Sequence, residues 1–72
     1  MTLKEYVENI PDALCAYALQ KFGDDWLVLV EGRGWFAPQW FRVPTDVALS
    51  EQDLKAYQLL PTKAGRWEGG KL

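Results

Sequence analysis

The sequence predicts an α+β domain: two short N-terminal helices, a small antiparallel sheet of two or three strands, one short C-terminal helix and a flexible tail. Three observations carry that expectation. Apolar residues recur at helical spacing through the first third of the chain, and WLVLVE at 26–31 is a run suited to a pleated surface. A second polar helix start, Ser50 followed by Asp53, comes after the aromatic stretch GRGWFAPQWF at 32–41.

The first helix begins where Thr2 and Glu5 stand three residues apart, a spacing that lets hydroxyl and carboxylate each satisfy a free backbone N–H. Leu3, Tyr6, Val7 and Ile10 then lie at i, i+3, i+4 and i+7, so one face is apolar until Pro11 ends the helix. The same proline suits the first position of a second helix, with Asp12 in its first turn. Leu14, Cys15, Ala18, Leu19 and Phe22 give that helix a stripe to bury, and Gly23 gives it a left-handed stop. A single helix over 3–22 kinked at Pro11 is the alternative.

After the Asp24-Asp25 turn, 26–31 is apolar on both faces and therefore reads as an interior strand. Gly32 and Gly34 allow a tight reversal, so Trp35, Phe36 and Ala37 are expected to return as a second strand, interrupted near Pro38. Residues 40–43 form a third strand or the continuation of the second. The helix starting at Ser50 turns Leu54 and Tyr57 inward and ends by Pro61, although an extended reading of 56–60 also fits. These elements make one compact domain over 1–61, with 62–72 as a flexible tail carrying three glycines and three basic residues.

Composition narrows the function. At 72 residues the chain hides only ~60% of the surface its unfolded form exposes, so it depends on burying large side chains. One cysteine and no histidine exclude an internal disulfide and the common Cys/His zinc patterns, and no cofactor is expected. A Ser or Cys nucleophile would lack its usual histidine base, and Cys15 reads as a small buried hydrophobe, so no catalytic activity is expected. The Asp24-Asp25 pair and the glycines of GRGW are accounted for by turns, since both calcium loops and phosphate loops need further residues that are missing here. Nothing resembles a signal peptide or a membrane span, so the expected home is the cytoplasm.

The formal charge of −2 hides an asymmetry. Residues 1–31 hold two basic and six acidic side chains, a net −4, whereas 32–72 hold six basic and four acidic, a net +2. The basic half also holds four of the ten aromatic residues within ten positions. Neighbours on a strand point to opposite faces, so Trp35 and Phe36, or Trp40 and Phe41, cannot all enter one core. The expected working surface is aromatic and arginine-rich, formed by Arg33, Trp35, Trp40, Arg42, Arg66 and Trp67. Such surfaces suit protein partners, which predicts a non-catalytic inhibitor, adaptor or regulatory factor of the kind phages and mobile elements encode. Single-stranded nucleic acid, stacked on tryptophan and held by Arg and Lys, is the alternative, made less favourable by the acidic total. The chain itself is expected to be a monomer or a weak homodimer through its sheet edge.

Overall fold

A computed structural model describes residues 1–65 and Trp67 of the chain. Thr2 caps α1 (Leu3–Glu8): its hydroxyl accepts from the Glu5 N–H at 3.1 Å, and the Glu5 carboxylate accepts from the Thr2 N–H at 2.8 Å. The same reciprocal cap, Ser50 with Asp53, starts α2 (Glu51–Ala56). Each helix has six residues, too few to persist alone in water, so both depend on the sheet they lie against.

That sheet has four strands, β1 (Ala13–Phe22), β2 (Asp25–Gly32), β3 (Gln39–Arg42) and β4 (Gln58–Lys63), in the order β3-β2-β1-β4. β2 runs antiparallel to both β1 and β3, while β4 lies parallel to β1. The sheet is thus mixed and larger than the expected antiparallel sheet of two or three strands. The connection from β3 to β4 passes through α2 and carries the chain from one edge of the sheet to the other. β4 follows α2 almost at once, so the segment 56–60 divides: Ala56 ends the helix and Gln58 begins the strand.

The largest departure from the sequence expectation is β1, where a second helix was predicted. Pro11 and Asp12 make a turn instead, with Asp12 in the left-handed region at φ 66° and its carbonyl accepting from the Arg33 N–H at 2.7 Å. Two irregularities in the β1–β2 register, between Ala13 and Cys15 and between Ala16 and Ala18, leave Leu14 and Tyr17 without partners on β2. Each bulge adds one residue, so the side chains on one face fall at Ala13, Ala16 and Leu19. That spacing of three imitates a helix. Gly23 ends no helix either: with Asp24 it forms the two-residue connection between the paired Phe22 and Asp25, and its φ of 63° suits the first central position of a hairpin turn. Cys15, expected to be buried, is exposed on β1.

Likewise Trp35, Phe36 and Ala37 do not return as a strand. Residues 33–38 form a loop, and pairing with β2 resumes only at Gln39. The reason lies in Gly32. The Trp35 indole folds back against this buried glycine, where any Cβ would occupy the ring's space, and a side chain packed over its own strand end cannot extend into a ladder.

Pairing in register places Leu19, Val28 and Phe41 on one face of the sheet. Here Leu3 and Val7 of α1, together with Val43 and Val47, close the main core, and Leu54 and Tyr57 of the second helical segment pack at its margin. Ala18, Leu27, Trp40 and Arg42 belong to the opposite face, which neither helix covers.

Candidate functional site

The face opposite the helices is built by alternation along three strands. β1 contributes Ala18, Gln20 and Phe22, β2 contributes Asp25, Leu27 and Leu29, and β3 contributes Trp40 and Arg42. Its centre is dry: Leu27 is 0% exposed and Ala18 is 2% exposed. A buried amide among them requires a partner, and Gln20 Nε2 donates to the Pro61 carbonyl of β4 at 2.9 Å. Around that centre Leu29, Trp40, Phe22 and Leu60 are half-buried. Half of a large apolar residue left in water on a sheet face is surface available for contact.

The charges on this face are ordered. Arg42 Nε lies 3.1 Å from Asp25 Oδ1, joining β3 to β2 beside Leu27. Both partners retain access to water, so the pair holds the Arg42 side chain in place more than it stabilises the fold. On the covered face Lys21 places its ammonium 5.6 Å from the centre of the Trp26 ring.

The predicted surface residues divide among four places. Trp40 and Arg42 share the uncovered face. Trp35 lies on the other side, half-buried, with its ring 5.8 Å from that of Phe41 and tilted by 36°, so it packs at the margin of the core. Arg33 is exposed in the 33–38 loop. Trp67 is half-buried and meets Phe22 edge-on at 5.9 Å and 70°, which attaches the chain after β4 to the end of the β1–β2 hairpin. Gly23 N–H donating to the Lys63 carbonyl at 2.8 Å strengthens that attachment. Of the expected 62–72 tail, Thr62 and Lys63 belong to β4, so the domain does not end at 61, while Arg66 and 68–72 lie outside the described residues.

The sequence reading missed the most exposed ring in the molecule. Phe36 stands at 105% of its reference area in the loop leading to β3. Its signal was present in Pro38 and the two flanking glycines, which oppose strand formation at 35–37. Phe22 and Leu29 were also missed as surface, because the first was assigned to a helix stripe and the second to a strand covered on both sides.

Elsewhere a cleft of about 270 Å³ opens beside the hairpin, floored by Trp26, Val43, Val47 and Leu49 and rimmed by Asp24 and Asp25. Among the described residues no group of three His, Cys, Asp or Glu side chains is placed to hold a metal ion. No described helix is long and apolar enough to cross a membrane. Among the described residues three groups have displaced ionisation. The Thr2 N–H bond holds the Glu5 carboxyl below its ordinary range, and partial burial raises the Tyr6 phenol above its own. The Tyr57 phenol is raised by partial burial and by the nearby Asp53 carboxylate. Glu5 and Tyr6 have structural roles in α1.

Comparison of the chain with protein-family models, with curated proteins and with solved structures finds no match.

Proposed function

We propose that this chain is a non-catalytic protein-binding domain, an inhibitor, adaptor or regulatory factor of the cytoplasm, which docks its partner on the part-open rim of the sheet face that neither helix covers, at Leu29 and Trp40, and on the 33–38 loop. The observation that carries the reading is that Trp40 and Leu29 stay half-open on the face that lacks a helix, while Phe36 in the loop leading into β3 is fully exposed. Contact sites favour rigid aromatic anchors beside arginine, and here Trp40 stands two residues from an Arg42 held by Asp25. A small chain that leaves such rings in water, when each could bury ~150–250 Å², gains by covering them against a partner.

Single-stranded nucleic acid is disfavoured by the same geometry, because Asp25 already neutralises the arginine nearest Trp40. The test is capture of a partner from native extract by the wild-type chain, repeated with Leu29→Lys and Phe36→Asp. Partner loss in both variants at an unchanged melting temperature supports the face. Retention in both overturns it. A salt series separates the two partner classes, since phosphate contacts weaken steeply with salt and apolar contacts do not.

A further inference from the structure

We infer that β3 is a self-complementary edge through which two copies of this chain pair antiparallel about Trp40, joining two four-stranded sheets into one of eight. The inference differs from the binding reading above: it uses backbone groups in the plane of the sheet, leaves the side chains of Leu29 and Trp40 pointing outward from the face, and shares only Phe36 with that reading.

The phase of the β2–β3 ladder fixes which groups are free. Val43 N–H donates to the Trp26 carbonyl at 2.8 Å, and the register pairs Phe41 with Val28 and Gln39 with Val30. Hydrogen-bonded pairs alternate along an antiparallel ladder, so residues 39, 41 and 43 turn their backbone groups toward β2. Trp40 and Arg42 turn theirs away. Because β3 is the end strand of the sheet, these groups face outward.

Two irregularities mark that edge. The Arg42 carbonyl already accepts from the Tyr6 hydroxyl at 3.2 Å, so α1 has capped one of the outward acceptors. Pro38, next in the outward-facing series, has no N–H to offer. In an antiparallel pairing that sets Trp40 against the partner's Trp40, Arg42 falls opposite the partner's Pro38, and the two deficits coincide. Trp40 N–H then meets the partner's Trp40 carbonyl, Arg42 N–H meets the partner's Pro38 carbonyl, and symmetry repeats both. Four bonds form and no outward group between 38 and 42 lacks a partner. Shifting the centre to Phe41 makes Trp40 N–H compete with Tyr6 for the Arg42 carbonyl. Moving it to residue 39 leaves the Trp40 carbonyl opposite a proline with nothing to donate. A hydrogen-bond inventory that closes in one two-fold register is what a second copy, rather than an unrelated strand, would satisfy.

The other edge is guarded. β4 carries Pro61 within the strand and Lys63 at its end, both devices that oppose edge pairing. β3 carries no proline within Gln39–Arg42, and the charge at its end, Arg42, is turned back onto Asp25 of β2. Continuing the two-fold register brings the exposed Phe36 opposite the partner's Pro44, which gives that ring an apolar neighbour.

Sedimentation of the full chain from ~1 μM to ~1 mM, a span that brackets weak association, tests the inference. The expected result is a reversible monomer–dimer equilibrium. A synthetic chain with an N-methylated Trp40 amide keeps every side chain and every β2–β3 bond while blocking the central pair. It should raise the dimer dissociation constant at least about tenfold, with an unchanged circular dichroism spectrum. Phe36→Asp, at a position that contributes no burial, should weaken the dimer in the same direction. A chain that stays monomeric throughout, or a dimer whose constant is unmoved by the N-methyl group, overturns the proposal.

Discussion

Single side chains decide two features of this protein. Gly32 is one, because the Trp35 indole occupies the space of its missing Cβ. Gly32→Ala must push the ring away, and a loss of about 1–3 kcal/mol in urea unfolding is expected, with Trp35 fluorescence shifting as the indole moves into water. Leu19 is the other: it is 0% exposed at the centre of the covered face, and Leu19→Ala should cost about 2–5 kcal/mol. Ionisation adds limits at both ends of the pH scale. The Tyr6 phenol has its folded pKa raised by burial above the ordinary 10.0. Its contribution is therefore complete below pH 10 and is lost as pH rises through the folded value. Glu5 runs the other way: its folded pKa lies below 4.5, so the stability it adds is present above that value and lost as pH falls through the folded one. A Glu5→Gln chain should show a flatter acid limb in a stability–pH series, and Tyr6→Phe a flatter alkaline one. An unchanged acid limb would mean that the cap contributes nothing to the charge dependence.

At the scale of elements, both helices depend on their reciprocal caps. Thr2→Ala and Ser50→Ala should each cost about 1 kcal/mol in thermal or denaturant unfolding, a large effect for helices of six residues. Both caps were legible in the sequence because they depend only on residues three apart. β2 was equally legible, its apolar run needing cover on two sides. β1 was hidden for a physical reason: two bulges convert the strand's period of two into a local period of three, and Ala13, Ala16 and Leu19 then read as a helix stripe. The better signal was the pair of apolar runs on either side of Gly23-Asp24, a hairpin spacing that the helical pattern obscured. β4 was half-visible in the loose alternation of 56–60, but its place parallel to β1 depends on contacts some forty residues away, which no local pattern encodes. The surface followed the same division. Trp40 and Arg42 share a face because β3 alternates, whereas Trp35 and Phe36 were misplaced because their segment is a loop shaped by Gly32.

For the molecule as a whole, the two faces of the sheet should respond differently to solvent. Amides of β2, flanked on both sides by β1 and β3, should exchange most slowly with deuterium, and those of 33–38 fastest. Refolding should fall in the range of milliseconds to seconds, since the mixed sheet closes through distant pairings. A microsecond rate would show that the helices control folding. The parallel seam between β1 and β4 has one more implication, for the chain as it is made. Until residues 58–63 emerge, the flank of β1 stands open, and the nascent protein has no native means of sealing it. The hairpin, α1 and even the Trp35 loop can assemble early, yet the β1 flank can be closed only once β4 has left the ribosome.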